Sequence, residues 1–340
     1  MSQPRVSVLM PVHNAEHTLP ETLQSIQNQT YTEMEIVIVD DGSSDDSLHI
    51  LETAREQDPR LIISAQPHRG LIATLNKGLS LCRGPFVARM DADDLMHPER
   101  IEKQAALLAS QADLSVASCL VETIAVPEVG EGMKIYEGWL NGLMHHDDIV
   151  REIFIESPVA HPSVMLKRHE IDQLGRYQDR GWPEDYDLWL RYHHAGKRFE
   201  KVPEVLLYWR DHPERATRTD SRYSVENFIR TKAHYLVAGP LRCCHDVLVW
   251  GAGQTGRRLS KHLVRLERSP SLFIDINPGK IGGTLRGIPI SSADDLGELW
   301  PRFKHPLLLV AVASRGARGL IRKRLAELGL IEGTDYLCVA

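Results

Sequence analysis

A chain of 340 residues has room for two domains, and its 25% charged and 42% hydrophobic content is that of an ordinary globular protein. The formal net charge of −6 offers no basic excess to phosphate backbones, so nucleic acid is not expected as a partner. Five cysteines (Cys82, Cys119, Cys243, Cys244 and Cys338) are scattered without a CxxC spacing, which excludes a disulfide or zinc framework and suits a reducing compartment.

The opening MSQPRVSVLMPVHN has too short an apolar stretch for a signal peptide, and no later run approaches the roughly 18–20 apolar residues that span a bilayer. A cytoplasmic protein is expected, with attachment to the inner face of a membrane left open. VSVLM (6–10) predicts a buried strand. Thr18, Pro20 and Glu21 have the pattern of a capping box opening a helix, with Leu23 and Ile26 on one face. EIVIVD (35–40) predicts a second strand, and DDGSSDD a turn into a helix that buries Leu48, Leu51 and Ala54. RLIIS, a helix through Ile72, Leu75 and Leu79, and PFVARMD continue the alternation. Strands and helices alternating at this length imply a mostly parallel sheet covered on both faces. In such sheets ligands collect beyond the carboxyl ends of the strands, and MPVHN, VDDGS and MDADD each lie at such an end.

From about 110 to 235 the pattern loosens into a strand, LSVASCLVETI, and a helix, EDYDLWLRYHHAG, where the acceptor wall of a cleft is expected. Past AGPLRCCH (238–245) the alternation restarts. DVLVWGAGQTGRRLSKHLVR is strand, glycine turn and helix; SLFIDINPGK ends a strand at Asp275; PLLLVAVAS precedes a helix through Leu320, Ile321, Leu325 and Leu328. The domains predicted are 1–237 and 241–340.

The crowding in MDADD asks for compensation. Asp91, Asp93 and Asp94 repel one another, and either a solvated turn or a hard divalent cation would relieve them. SVLMPVHNAEHTLPETLQSIQNQT, EIVIVDDGSSDDS, LNKGLSLCRGPFVARMDADDLMHPERIEKQ and WPEDYDLWLRYHHAGK, in that order, resemble the family 2 glycosyltransferases, inverting enzymes of the GT-A fold. The resemblance spans residues 5–215. It implies a GT-A nucleotide-diphospho-sugar transferase domain, so the fold expected is α/β, with that domain followed by the small C-terminal Rossmann-like α/β domain that the restarted alternation predicts. The implied reaction is metal-dependent, inverting transfer of a sugar from a nucleotide-sugar donor to a hydroxyl of a glycan or lipid-linked acceptor, in surface polysaccharide biosynthesis.

By the same resemblance Pro11, His13 and Asn14, with Asp40 and Asp41, hold the nucleoside, Asp41 being the better acceptor for a base N–H. Arg69 and Asn76 reach the donor. DAD corresponds to a DxD motif for Mn²⁺ or Mg²⁺, with Asp93 as direct ligand and Asp91 facing the ribose or a metal-bound water. Asp94 is read as the cap of the helix beginning near Pro98 and Glu99. Arg210 and His212 follow the last strand, Arg210 toward the diphosphate and His212 as a third metal ligand. Glu184-Asp185 supplies the base, Asp185 taking the acceptor proton with Glu184 in support, although two acids at a helix start also suit its dipole. His161 and Trp182 fall near the acceptor. Trp189 reads as core, and HHDD (145–148) and His193-His194 as solvated surface.

GAGQTG (251–256) places Gly251, Gly253 and Gly256 after a strand and before a helix, with Asp275 at the spacing of a dinucleotide fingerprint. FIDINPGKIGGTLRGIPISSADDL resembles the small Rossmann-like domains of sugar-modifying acetyltransferases. Sugar-nucleotide binding, NAD(P)-dependent oxidoreductase chemistry and a scaffold role all remain open for it. A non-catalytic glycan-binding or assembly protein is a further alternative, and a homo-oligomer is left open. SRGARGLIRKRL gives the last helix a basic face, read as solvated, with contact to anionic lipid as the other reading.

Overall fold

Aliphatic runs without polar alternation make strands buried on both faces. In the computed structural model, which describes residues 5–125 and 128–340, VSVLMPV forms β1 (Val6–Val12) and MEIVIVD forms β2 (Met34–Asp40), each buried along its length. The first four residues, where the reading of the N-terminus begins, lie outside the described residues. β3 (Leu61–Ala65) and β4 (Phe86–Arg89) follow, connected through α1 (Leu19–Gln27), α2 (Ser47–Gln57) and α3 (Leu71–Leu81). The four strands lie parallel in the order β3-β2-β1-β4. Register pairs Val12 with Asp40, so His13 and Asp41 leave the sheet together at its carboxyl edge.

The sheet then stops being parallel. β5 (Leu95–Met96), β6 (Leu114–Ala125), β7 (Met165–Lys167) and β8 (Arg198–Asp211) extend it to the order β3-β2-β1-β4-β7-β6-β8-β5. β7 runs antiparallel to both β4 and β6, and β5 antiparallel to β8. The 14 residues of β8 have no clear alternation and contain Pro203, so nothing local announces a strand; its parallel pairing with β6, through three register shifts, makes it one. β8 ends with Arg210 and Asp211, and His212 is next in the chain.

Side chains alternate across the strands and divide the core in two. Val8, Met10, Ile36 and Ile38 face a cluster with Leu23 and Ile26 of α1 and Ile101 of α4 (Arg100–Ser110). Leu9 and Val37, one residue out of step, face Leu75 and Leu79 of α3 and Trp189. Trp189 is fully buried, as expected. His146 and His193 depart from the solvated reading: both are half-buried, and burial lowers their pKa values, that of His193 to about 4.

Packing divides the chain into two compact units. One comprises the described residues up to Ile149 with Pro158–Arg180 and Asp187–Thr219; the other comprises Val150–Ser157, Gly181–Tyr186 and Asp220–Ala340. In the second unit Ser224 caps the helix Val225–Ala238. β9 (Val247–Trp250), β10 (Leu272–Asp275), β11 (Thr284–Leu285), β12 (Ile288–Ser292), β13 (Leu307–Val310) and β14 (Tyr336–Cys338) form its sheet in the order β11-β12-β10-β9-β13-β14. All neighbours in it are parallel except the short β11. On the helix Ala317–Glu327, Arg322 pairs with Glu152 and Glu332, so part of the basic face is neutralised within the unit. Among the described residues no helix is long and apolar enough to cross a membrane.

Truncating Trp189 to alanine empties a fully enclosed site between sheet and helix. Trp189→Ala is expected to lower unfolding stability by about 3–5 kcal/mol, measured as a fall in urea midpoint at constant slope.

Candidate active site

The loops after β1 and β2 are laced together by short polar side chains. Asn14, in the left-handed region at φ 50°, donates its N–H to Ser43 Oγ (3.0 Å) and accepts the Ser44 N–H on Oδ1 (2.8 Å). Asp40 accepts the Ser43 N–H (3.2 Å) on Oδ2, and its buried Oδ1 has no hydrogen-bond partner. Gly42 turns at φ 69°, and a Cβ there would stand 2.7 Å from the His68 nitrogen. Pro11 is buried within β1.

Asp41 is the organiser of this wall. Its carboxylate accepts from Gln66 Nε2 (2.8 Å), Arg69 N–H (2.9 Å) and Gly70 N–H (2.8 Å), and His68 Nδ1 lies 2.9 Å from Oδ2. Burial pushes its pKa up, but the hydrogen bonds from Gln66 and the Arg69 and Gly70 amides outweigh burial and hold it below the ordinary value. His13 Nδ1 sits 3.0 Å from the Asp41 carbonyl oxygen, which brings the His13 and His68 rings to 4.3 Å between centroids. Arg69 contributes its backbone here while its side chain stays exposed. Asn76 is placed elsewhere: its amide clasps the backbone of Tyr177 through two hydrogen bonds (2.9 and 3.1 Å). The Tyr177 hydroxyl meets buried His161 at 2.8 Å.

The aspartate loop follows β4. One carboxylate oxygen from each of Asp91, Asp93 and Asp94 lies within 4.8 Å of the other two. Asp91 pairs with Arg89, whose guanidinium is buried at the end of β4. Asp93 Oδ2 meets His212 Nε2 at 2.9 Å, and its carbonyl accepts from Arg210 Nε (2.7 Å). Asp94 Oδ1 accepts the Arg210 N–H (2.8 Å), and its Oδ2 is buried without a partner. Burial, then the charge of Asp91, raises the Asp93 pKa against the opposing pull of His212. Asp94 is pushed well above the carboxylate range by burial and then by the charges of Asp93 and Asp91. Crowded, partly desolvated carboxylates with an orphaned oxygen and a neighbouring imidazole form a donor set suited to a hard divalent cation such as Mn²⁺ or Mg²⁺.

Two local expectations give way to tertiary partners. The Thr18 side chain does not cap α1; its hydroxyl donates instead to the Ala92 carbonyl (2.9 Å) in the aspartate loop. The Thr22 hydroxyl points at the carbonyls of Ala92 and Asp94 (3.0 and 2.8 Å), and Glu21 pairs with Arg210 (3.0 Å). Asp94 is no helix cap either: α4 begins at Arg100 behind Glu99, without a side-chain cap bond. Thr18, Thr22, Gln66, His68 and Arg89 are the site residues that the motifs missed. Arg89 had a signal, a charge inside an otherwise apolar strand, which must find a partner when buried. The threonines had none, since only the folded chain brings α1 to the loop.

In the second unit Glu184 opens the helix Glu184–His194 and receives the Tyr223 hydroxyl on both carboxylate oxygens (2.8 Å each). Asp185 is half-buried and accepts the Tyr186 N–H at 2.7 Å. Trp182 is buried, with the His234 ring 5.3 Å away and the Arg230 guanidinium 5.0 Å from its centroid.

A mixed α/β unit with acids gathered at the carboxyl edge of its sheet has the GT-A-like glycosyltransferase fold, accompanied here by a second sheet in the C-terminal region. Residues 7–175 match glycosyl transferase family 2. An uncharacterized glycosyltransferase of Haemophilus influenzae is 34% identical over 230 residues, covering 66% of this chain and 69% of that protein. The chain belongs to glycosyl transferase family 2 and is a glycosyltransferase. It is also similar to the UDP-Gal:alpha-D-GlcNAc-diphosphoundecaprenol beta-1,3-galactosyltransferase of Escherichia coli, 29% identical over 236 residues, 68% of this chain and 83% of the relative. Among solved structures, S. aureus TarS 1–349 in complex with UDP-GlcNAc aligns with a TM-score of 0.56 at 19% identity, over 78% of this chain and 73% of TarS 1–349, a likeness of fold.

The raised carboxylates carry a sign. Without a cation, their ionised forms cost stability above the unfolded-state pKa, so neutralising one relieves the loop. Asp93→Asn is expected to raise the metal-free melting temperature, and saturating Mn²⁺ is expected to raise that of the parent protein by about 3 °C or more but not that of the variant. Differential scanning fluorimetry in EDTA and in Mn²⁺ measures both.

Proposed function

We propose that the protein is a metal-dependent inverting transferase that moves a sugar from a nucleotide-sugar donor to a hydroxyl of a glycan or lipid-linked acceptor. The observation that carries the reading is the convergence of Asp91, Asp93 and Asp94 with His212 and Arg210 at the edge where nucleotide ligands collect. Pro11, His13, Asn14, Asp40, Asp41 and Arg69 border the nucleoside, and the rigid Asp41-centred loop gives it a preformed wall. Asn76, proposed for the donor, and His161, proposed for the acceptor side, are joined through Tyr177. Lewis-acid stabilisation of the departing diphosphate is what Mn²⁺ or Mg²⁺ supplies when bound by Asp93, Asp91 and His212.

In the proposed step the acceptor hydroxyl attacks the anomeric carbon in line while the bond to the diphosphate oxygen breaks, inverting the configuration. Asp185 takes the hydroxyl proton as the new bond forms. Glu184, held by Tyr223, fixes the start of the helix that carries it, and Trp182 offers an apolar ring beside the acceptor. Arg210, anchored on the Asp93 carbonyl and on Glu21, brings positive charge to the diphosphate.

The similarity to a transferase acting on a diphosphoundecaprenol acceptor favours a lipid-linked acceptor, work at the inner face of the membrane and a place in surface polysaccharide biosynthesis. Five free thiols suit the cytoplasm. The change of sheet between β8 and β9 supports a transferase domain over 1–237 and a second domain over 241–340, the latter resembling the Rossmann-like domains of sugar-modifying acetyltransferases, while packing groups Val150–Ser157, Gly181–Tyr186 and the chain from Asp220 onward with the second unit.

With the sugar nucleotide that the protein accepts as donor, Asp185→Asn is expected to lower turnover by about 10²–10⁴-fold and to leave the affinity for the corresponding nucleoside diphosphate within about twofold. Undiminished transfer would remove Asp185 as the base. Calorimetric titration with UDP, GDP and dTDP should find binding of one of them strengthened by Mn²⁺, and Asp93→Ala should erase that strengthening. Binding indifferent to Mn²⁺ in the parent protein would sink the metal assignment.

A further inference from the structure

The second unit contains a cleft that the transferase reading does not use. Its sheet order changes direction between β9 and β13: the chain moves outward through β10 and β12 on one side, and through β14 on the other. At such a switch point the loops beyond neighbouring strands diverge and leave a crevice. Here the crevice holds about 730 Å³, bordered by the turn after β9, the segment after β10 and the loop after β13. A volume of this order accommodates a small organic ligand.

The glycine turn is built for close approach. Gly251 has φ 114°, and a Cβ on Gly256 would fall 1.8 Å from the Gly251 carbonyl oxygen, so these two glycines shape the turn itself. Gly253 is different. Its φ of −84° suits any residue, and a Cβ there would meet nothing nearer than Lys280 Nζ at 3.9 Å. The space over Gly253 is therefore open without being required by the backbone. Gly253 is also the N-cap of the twelve-residue helix Gln254–Arg265 and makes no side-chain cap bond, so the first-turn N–H groups look into the cleft beneath an ammonium group.

Asp275 argues against the dinucleotide reading. A dinucleotide fold uses the acid at the end of its second strand to receive a ribose diol. Asp275 stands at that point, but its oxygens already accept the Ala252 N–H (2.9 Å), the Asn277 N–H (2.9 Å) and Lys280 Nζ (3.0 Å). Burial pushes its pKa up, and the Asn277, Lys280 and Ala252 hydrogen bonds outweigh burial and hold it below the ordinary value. The acid is committed to fixing the turn and aiming Lys280. The sheet points the same way: five parallel strands complete one mononucleotide half and leave the second half short of a strand. Apolar flanks complete the picture. Ile276 and Leu320 are 76% and 73% exposed and line the cleft, surfaces that a nucleobase or sugar face would cover.

We propose that this cleft binds a nucleoside mono- or diphosphate, with its phosphate on the Gly253–Thr255 turn beneath Lys280 and its apolar body against Ile276 and Leu320. It is a second nucleotide site, carried by a unit that has no part in the aspartate cluster. The committed acid and the missing sixth strand argue against NAD as its ligand.

The test uses the full chain in EDTA, which removes metal-dependent donor binding. AMP, CMP, UDP, GDP and NAD⁺ are titrated calorimetrically into the parent protein and into Gly253→Val and Lys280→Ala. Gly253→Val fills the phosphate position on a backbone that tolerates it, so folding is expected to persist, and an unchanged melting temperature verifies this. The expected result is one mononucleotide binding in EDTA, weakened at least about tenfold by Gly253→Val and several-fold by Lys280→Ala. Manganese-strengthened binding at the aspartate cluster is expected to survive both variants. No binding at millimolar concentration, binding indifferent to Gly253→Val, or NAD⁺ binding tighter than every mononucleotide would each overturn the proposal. Should Gly253→Val lower the melting temperature, Lys280→Ala alone decides, with unchanged affinity as the overturning outcome.

Discussion

Like charges held close in a partly desolvated place are the constraint around which the first unit is organised. Burial raises the cost of ionising Asp93 and Asp94, and the charge of Asp91 beside both, with that of Asp93 beside Asp94, adds to it. The surroundings answer with basic and hydroxyl side chains, most of them from distant parts of the chain. Arg89 comes from β4, Arg210 and His212 from the end of β8, and Thr18 and Thr22 fix the loop carbonyls from α1. Beneath them Arg100, fully buried, donates to the Arg89 carbonyl (2.8 Å) and to Gln104 (3.1 Å), and Gln104 continues to the carbonyls of Ala117 and Ser163. A satisfied buried network of this kind is rigid, and rigidity lets a repulsive cluster keep its geometry. The partial compensation leaves room for a cation to do the rest.

The two units reuse one device. In each, the acid next to the end of the second parallel strand spends its oxygens on backbone N–H groups and a basic side chain of neighbouring loops. Asp41 gathers the Arg69 and Gly70 amides, Gln66 and His68; Asp275 gathers the Ala252 and Asn277 amides and Lys280. Both carboxylates sit below the ordinary pKa because these donors outweigh the cost of burial. An aspartate placed there stiffens the lip of the cleft. In the first unit that lip forms one wall of the site; in the second it aims an ammonium over an open glycine.

The parallel core was legible because its physics is local. Runs such as VSVLM and EIVIVD, separated by turn residues and by helices of 3.6-residue period, have one economical solution, a sheet covered on both faces. The three polar clusters were legible for the same reason, since each directly follows a predicted strand. Composition and motif order could likewise establish that a glycosyltransferase unit is followed by a second α/β unit. What pairs across long separations was not legible. β8 exists because β6 offers it hydrogen bonds, Thr18 abandons its helix cap for Ala92, seventy-four positions away, and Asp94 turns from a supposed cap into the most deeply buried of three acids. Sequence determined which residues carry charge, which are apolar and where chain direction changes. Only the tertiary structure decided which charges meet, because Coulomb and hydrogen-bond energies depend on distances that no stretch of chain contains by itself.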